Sequence, residues 1–381
     1  MSLESQRYRP WGDRRKSTRV LGFVRGMHLD WPLFSGLMIL VIVGLVVLYS
    51  AGGQDWEIMY RQILRLSLAF VIMFMIAQIS PHHIEFWTPW FYGLGVILLL
   101  AVLLFGDVGK GAQRWLDLGF FRFQPSEMMK LAVPMMVAWY LSEKAMPPTL
   151  SRIVVAMIII MVPVLLIAKQ PDLGTSLLVG SAGALVLLLT GISWIWIGGA
   201  MMAVAGAAPV MWFYFMHDYQ RQRVLTFLNP ESDPLGSGYH IIQSKIAIGS
   251  GGLYGKGWLN GTQSQLDFLP ERSTDFIFAV FAEEFGLIGI LFLLSMFMFI
   301  VMRGLRIAYQ AQDTYTRLLA GSLTLTFMVY IFVNIGMVSG ILPVVGIPLP
   351  LISYGGTSMV TLMAGFGVLM AIHTHRKLLP S

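Results

Sequence analysis

The chain contains no cysteine and carries little charge for its length. Only 12% of its 381 residues are Asp, Glu, Lys or Arg, whereas a typical soluble domain has about 25%. The absence of cysteine excludes disulfides, zinc–thiolate sites, iron–sulfur clusters and thiol catalysis. The shortage of charge argues against a soluble globular enzyme, because so few charged residues cannot cover the water-facing surface of so long a chain.

Apolar residues make up most of the chain instead. Hydrophobic residues account for 56% of the sequence, and the mean hydropathy is +0.71. A helix needs about 20 apolar residues to cross a bilayer, and runs of this kind recur along the whole chain. The sequence therefore predicts an all-α, polytopic membrane protein with about ten transmembrane helices. The predicted spans are 31–50, 62–79, 86–105, 127–142, 152–168, 173–190, 194–216, 275–302, 317–340 and 352–373.

The distribution of basic residues predicts the orientation of these spans. Residues 1–30 form a basic segment ahead of a single transmembrane domain at 31–381. Basic residues favour the cytoplasmic side, so we expect a cytoplasmic N-terminus, and an even number of spans then makes the C-terminus cytoplasmic too. One long extracytoplasmic loop, about 217–274, follows the seventh span. The basic residues of the first segment are Arg7, Arg9, Arg14, Arg15, Lys16, Arg19 and Arg25.

Basic residues also occur on the outer side, where a membrane protein without an outer function should have few. Arg122 stands between phenylalanines, Lys130 lies one turn inside the fourth span, and Lys169 ends the fifth. We interpret the set as an outward-facing site for a phosphate group. The alternative is ion pairing with nearby acids and contact with lipid headgroups. The candidate binding residues are Arg114, Arg122, Lys130, Lys169, Arg221, Arg223, Lys245 and Arg272.

Two acidic residues begin predicted spans. Glu127 and Asp172 stand where a carboxylate stabilises the N-terminus of a helix, so capping is a sufficient explanation for both. Lys130 follows Glu127 by three residues, which would place an ion pair on one helix face. Both acids are nevertheless candidates for the same binding site as the basic residues.

A third acid, Asp275, begins the eighth span. A carboxylate at this boundary could serve as a general base, while capping or pairing with Arg272 would be a purely structural role. Glu283 and Glu284 follow on the same helix. At 100° per residue they cannot share one face with Asp275, so at least one of them needs another partner.

One aromatic residue adjoins the basic candidates. Trp115 follows Arg114 directly, and its indole ring can stack on a sugar. Anchoring at the membrane interface, where tryptophan is common, is the alternative.

Several strings in fixed order resemble the SEDS (shape, elongation, division and sporulation) family, and within it the members that act in cell elongation. The resemblance runs from about residue 28 to 377. Residues 1–27 match no part of the family pattern. The matching strings are 110–116, 122–127, 170–175, 218–223, 238–245, 269–275 and 348–356.

The resemblance implies a ten-helix peptidoglycan glycosyltransferase of the bacterial inner membrane. Such enzymes polymerise lipid II, a disaccharide-pentapeptide on undecaprenyl pyrophosphate, and work with a class B penicillin-binding protein as transpeptidase. The family's essential acid matches Asp275, and its other functional charged positions match Arg114, Arg122, Lys130 and Asp172. No nucleic acid is expected as a partner.

On this hypothesis, Asp275 takes the proton from the 4-hydroxyl of the acceptor sugar. That oxygen attacks the anomeric carbon of the donor, and pyrophosphate leaves, stabilised by basic residues or by a divalent cation such as Mg²⁺ or Mn²⁺. The sequence leaves the metal requirement open. It also leaves open two other functions, a lipid II flippase and a non-catalytic scaffold for the transpeptidase.

Overall fold

The computed structural model describes residues 28–109, 112–117, 122–144, 146–216, 218–232, 237–266, 268–269 and 271–376. Each of the ten predicted spans coincides with a helix in this part of the chain, which confirms the predicted fold class. The helices are α1 Trp31–Ala51, α2 Trp56–Ala77, α3 Pro81–Phe105, α4 Pro125–Ser142, α5 Leu150–Lys169, α6 Leu173–Leu189, α7 Trp194–Val210, α8 Asp218–Leu228, α9 Ser237–Ser250, α10 Thr262–Gln265, α11 Ile277–Tyr309, α12 Thr314–Val338 and α13 Thr357–Thr374.

The spanning helices are α1 to α7 and α11 to α13. Among the described residues, eight helices are long and apolar enough by themselves to cross a membrane. The other two are α6, which has 17 residues, and α4, which carries Glu127 and Lys130. Several helices begin or end away from the predicted limits; α2, for example, begins at Trp56 because the Asp55 side chain caps its first turn. Hydropathy marks the apolar part of a helix, not its caps.

The remaining elements lie between the spans. A three-stranded antiparallel sheet, β1 Asp107–Gly109, β2 Ala112–Asp117 and β3 Arg122–Phe123, connects α3 to α4. The long loop after α7 contains α8, α9 and α10. Together with the 170–172 turn and the 339–356 segment, the sheet and the long loop lie at one end of the helical bundle, which we call the loop face.

A glycine breaks α11 near its start. Gly286 has φ 63° and ψ −162°, and a Cβ atom there would lie 2.3 Å from the backbone nitrogen of Gly255. The loop backbone replaces the lost helical hydrogen bonds: Lys256 N donates to Glu283 O at 3.0 Å, and Leu287 N donates to Gly252 O at 2.9 Å. Only glycine fits such a close approach at positive φ. The sequence pattern, a single apolar run, does not predict this break.

The break explains how two buried glutamates are accommodated. Glu283 accepts hydrogen bonds from Lys256 Nζ at 2.7 Å and from Thr262 Oγ1 at 3.0 Å. Glu284 accepts a hydrogen bond from Ser50, the penultimate residue of α1. Both acids therefore lie level with the end of α1 at the loop face, and each has partners of its own, which confirms the prediction that at least one of them needs another partner.

The ion pair between Lys256 and Glu283 should stabilise the long loop. The Glu283 side chain is completely buried and that of Lys256 is 28% exposed. Lys256→Met leaves a buried carboxylate without its cation, so we expect a loss of about 3 kcal/mol, seen as a lower midpoint of thermal unfolding in detergent. Arg61→Gln is the matched control, because the Arg61–Glu57 pair is mostly exposed and such pairs contribute little. Equal midpoints for the two variants would contradict the prediction.

At the opposite end of the bundle, a charged network joins three helices. Asp30 caps α1 through Leu33 N at 2.9 Å and pairs with Arg303 of α11 at 2.6 Å. His373 of α13 lies 3.2 Å from the same carboxylate. His28 stacks on His375, with ring centroids 4.0 Å apart, and burial together with this neighbour lowers the pKa of His28. The network fixes α1, α11 and α13 relative to each other and is far from the loop face.

Helix α7 differs from the other spans because it is not packed into the bundle. Most of its described residues are exposed, including Trp194 at 84% and Met202 at 78%. In a bilayer these apolar side chains face lipid. The bundle is therefore open to lipid on the side where α7 stands.

Candidate functional site

Asp172 is the centre of a polar cluster at the loop face. Its carboxylate caps α6 by accepting from Thr175 N at 3.3 Å, as predicted, and also accepts from Gln124 Nε2 at 3.3 Å. Strand β2 brings Arg114 to the same place: its Nε lies 3.6 Å from Asp172 Oδ2, and its terminal nitrogen donates to Pro171 O at 3.0 Å. The cap alone does not account for these two further partners, one of which is cationic.

Helix α4 carries the predicted ion pair between Glu127 and Lys130, which begins three residues after Gln124. Lys130 Nζ lies 2.7 Å from Glu127 Oε1, and both side chains are buried. The ammonium group also lies 5.3 Å from the ring centre of Tyr330 on α12. A mostly apolar cavity beside α12 and α13 is lined in part by Lys130, Tyr330 and Thr361.

Asp275 lies in a turn directly before α11, which begins at Ile277 rather than at 275 as predicted. Its side chain is half-buried. The carboxylate faces the 339–356 segment, since a Cβ atom built on Gly346 would lie 3.5 Å from Asp275 Oδ2. A half-buried carboxylate at the end of a membrane helix can exchange protons with water and still lie beside a lipid substrate.

The clusters around Asp172, Lys130 and Asp275 are connected through shared neighbours. Tyr330 contacts Lys130, and Asn334, one helical turn or about 6 Å further along α12, donates to Asp275 O at 2.9 Å. The start of α6 reaches the same segment as Asp275, because a Cβ atom on Gly174 would lie 2.8 Å from Val345 O. The structure thus brings charged and polar residues from α4, α12, β2 and the turns before α6 and α11 into one region of the loop face.

Other candidates from the sequence have different surroundings. Arg221 donates to Trp212 O at 2.8 Å and Phe213 O at 3.1 Å, so it caps the end of the α7 region. The Arg272 guanidinium lies beside Gly53, in the turn between α1 and α2. Lys245 packs its side chain against Gly340.

The last candidates lie at the margin of the site, or their side chains are outside the described part of the chain. Lys169 is exposed at the end of α5, and Trp115 is half-buried on β2. Arg122 forms part of β3 and pairs with Asp117 through its backbone, but its side chain is outside the described part of the chain. The side chain of Arg223 is outside it as well.

Several polar residues of this region were not among the candidates. Gln62 is buried in α2 and donates to Ser353 O at 3.3 Å, and the Arg65 guanidinium lies 4.7 Å from the ring centre of Tyr354. Asn334 and Ser353 contact the Asp275 turn directly. The available signal was a polar residue within an apolar run, which is too common to interpret from sequence alone.

Among the described residues, no three His, Cys, Asp or Glu side chains come together as a metal site. In the described part of the chain, Asp275 and Asp172 are each the single carboxylate of their cluster. A divalent cation at the loop face would therefore need most of its ligands from a phosphate-bearing substrate, which is the usual arrangement for Mg²⁺.

Comparison with known proteins gives one family match and several similar relatives. A family model named FTSW_RODA_SPOVE, cell cycle protein, matches residues 30–378. The peptidoglycan glycosyltransferase MrdB of Escherichia coli (strain K12) is 59% identical over 93% of this chain and 95% of its own. The peptidoglycan glycosyltransferase RodA of Treponema pallidum is 31% identical over 93% of this chain and 99% of its own.

Two solved structures share the fold. A chain from a study of how a peptidoglycan synthase complex coordinates polymerization and crosslinking has a TM-score of 0.80 and 32% identity, over 92% of this chain and 98% of that one. The rod shape determining protein RodA of Thermus thermophilus has a TM-score of 0.69 and 26% identity, over 91% and 98%.

Proposed function

We infer that this chain, which belongs to the FTSW_RODA_SPOVE family of cell cycle proteins, is a peptidoglycan glycosyltransferase. It polymerises lipid II into glycan strands during cell elongation. The family match confirms the resemblance seen in the sequence motifs. One observation carries the proposal. A half-buried carboxylate, Asp275, lies at the loop face in the same region as Arg114 and Lys130. Polymerisation of lipid II needs a carboxylate beside basic groups, because the substrate joins two sugars to a pyrophosphate and a polyprenyl tail.

In the proposed reaction, Asp275 accepts the proton from the 4-hydroxyl of the acceptor sugar. The acceptor oxygen forms a bond to the anomeric carbon of the donor as the bond from that carbon to the pyrophosphate oxygen breaks. The departing pyrophosphate keeps the electron pair, and fixed positive charge stabilises it. A single displacement of this kind inverts the anomeric carbon, so an α-linked donor gives a β-linked strand.

Arg114 and Lys130 are the basic groups that we propose for the pyrophosphate. Each already pairs with a carboxylate, Asp172 or Glu127, so its position is fixed before the substrate binds. Arg122 is a further candidate from the sequence. A divalent cation such as Mg²⁺ or Mn²⁺, bound mainly by the pyrophosphate, would add to the same stabilisation.

The polyprenyl tail requires a path from the bilayer to this region. Helix α7 stands apart from the bundle with apolar side chains exposed, so the protein is open to lipid on that side. Tail binding here would place the pyrophosphate at the loop face without moving charge through the membrane.

The proposal includes an orientation and a partner. We place the loop face on the outer side of the bacterial inner membrane, with both termini in the cytoplasm, because the basic segment 1–30 favours the cytoplasmic side. A class B penicillin-binding protein is the proposed partner. The fold shared with a chain of a peptidoglycan synthase complex supports this choice.

A flippase and a scaffold are the competing functions. Transporters usually bind their substrates near the middle of the bilayer, whereas Asp275, Asp172 and Arg114 lie at one end of the bundle. Glu283 and Glu284, which the sequence alone would place deeper, also lie at that end. The distribution of charge therefore favours surface chemistry over transport.

The test is polymerisation of lipid II by the purified chain together with its transpeptidase partner, with a divalent cation supplied. We expect glycan strands that a muramidase degrades and that carry β linkages. A folded wild-type complex that makes no polymer would contradict the proposal, and translocation of lipid II in vesicles would then test the flippase. Strands with α linkages would contradict the single displacement while leaving the polymerase function intact.

A further inference from the structure

Asn334 is a buried polar residue in the apolar sequence of α12. Its side chain has no exposed surface. The amide nitrogen donates to two backbone carbonyls, Asp275 O at 2.9 Å and Ile347 O at 2.7 Å. The amide oxygen is buried and has no hydrogen-bond partner among the described residues. Burying an unsatisfied acceptor is unfavourable, so packing alone does not explain an asparagine at this position.

The turn that carries Asp275 is fixed at three consecutive carbonyls. Ser273 O accepts from Tyr354 N at 2.8 Å, and Thr274 O accepts from Ser353 Oγ at 2.6 Å. Asp275 O accepts from Asn334, which makes the third contact. These contacts come from two directions, because Ser353 and Tyr354 precede α13 whereas Asn334 belongs to α12.

Asn334 also ties this turn to the part of the 339–356 segment that lies against the carboxylate. Its second hydrogen bond fixes Ile347 O, and the preceding residue, Gly346, lies against the Asp275 side chain. One amide group thus sets both the backbone that presents the carboxylate and the wall opposite it. Ser353 and Tyr354 bond the same turn from a later part of that segment, and Ser353 Oγ also accepts from Leu349 N at 2.8 Å.

We propose that Asn334 is a positioning residue for Asp275, an inference that rests on the proposed polymerase function. By holding Asp275 O and Ile347 O together, it sets the direction in which the carboxylate meets the acceptor hydroxyl. General-base catalysis depends strongly on this direction, and a displacement of about 1 Å can slow a reaction by about 100-fold. Asn334 itself does not touch the reacting atoms.

The test compares kcat and KM for lipid II polymerisation by the complete complex. Asn334→Leu keeps a similar volume and removes both donors. We expect kcat to fall by about 10- to 100-fold while KM changes by less than about threefold, because the groups proposed to bind pyrophosphate are untouched. Ser353→Ala removes one of the other two contacts and should lower kcat by a smaller factor in the same direction.

Ser322→Ala is the matched control. Ser322 is buried in the same helix and donates to Ala182 O at 2.8 Å, far from the turn, so its loss tests the effect of removing a buried hydrogen bond from α12. We expect an unchanged kcat. Folding and partner binding are checked for each variant by thermal unfolding and by co-purification.

The outcomes separate the two proposals. A wild-type complex without polymerase activity contradicts the proposed function itself. If the wild type is active and Asn334→Leu keeps its kcat, or loses activity only through a higher KM, the positioning role is wrong. If Asn334→Leu does not fold, Ser353→Ala decides: wild-type kcat for that variant would contradict the idea that fixing the turn controls catalysis.

Discussion

Replacing Asp275 with asparagine should reduce lipid II polymerisation by at least about 100-fold, since general-base catalysis contributes about 10² to 10⁴. Asparagine keeps the shape of the side chain and can still form hydrogen bonds, but it cannot accept the proton of the acceptor hydroxyl. The backbone contacts of Asp275, from Asn334 at 2.9 Å in particular, do not involve the carboxylate. The variant should therefore fold and bind the proposed partner as the wild type does.

The measurement is the initial rate of strand formation by the complete complex, with partner binding checked by co-purification. Asp313→Ala provides a matched loss of a carboxylate. Asp313 caps α12 by accepting from Thr316 N at 3.0 Å at the opposite end of the bundle, so its loss should lower stability by about 1 kcal/mol and leave the rate unchanged. An Asp275→Asn complex within a few-fold of the wild-type rate would show that Asp275 is not the proton acceptor.

Loss of activity in Asp275→Asn would also exclude the scaffold function for the wild type. A scaffold needs only an intact complex, which this variant keeps. The flippase function is tested separately, because translocation of lipid II does not require a proton acceptor for the sugar hydroxyl. The single substitution thus distinguishes chemistry from recruitment, and a vesicle assay on the same variant distinguishes chemistry from transport.

The sequence predicted those features that depend on local pattern. Runs of about 20 apolar residues were sufficient for the ten spans, and a spacing of three residues was sufficient for the Glu127–Lys130 pair, which the structure shows at 2.7 Å. The position of Asp172 at the start of a span likewise predicted its capping role. Each of these follows from the geometry of a single helix.

Features that depend on contacts between distant segments were not predictable in the same way. Arg114 and Asp172 are 58 residues apart in sequence, and only the fold brings them together. Gly286 looks like any other glycine of an apolar run until the loop at Gly255 is packed against it. Asn334 shows in the sequence only as one polar residue in an apolar run, and its two partners lie in other segments. Family motifs selected Asp275, but they did not show what holds it.

Replacement of Lys130 should separate its structural role from the role proposed for it in the reaction. Lys130→Met leaves the buried carboxylate of Glu127 without its cation, so we expect a loss of about 3 kcal/mol in stability together with a loss of activity. Adding Glu127→Gln removes the uncompensated charge. The double variant should therefore regain most of the stability, because replacing both members of a buried ion pair is often nearly neutral.

Activity should respond differently from stability. If Lys130 stabilises the departing pyrophosphate, the double variant still lacks that charge, and its rate should remain about 100-fold below that of the wild type, as expected when one stabilising group of a transition state is removed. Thermal unfolding and the initial rate of polymerisation, measured on the wild type and both variants, give the two quantities separately. A double variant that recovers stability and rate together would make Lys130 a structural partner of Glu127 only, and the pyrophosphate would then have to be stabilised by Arg114 and the other basic residues of the loop face.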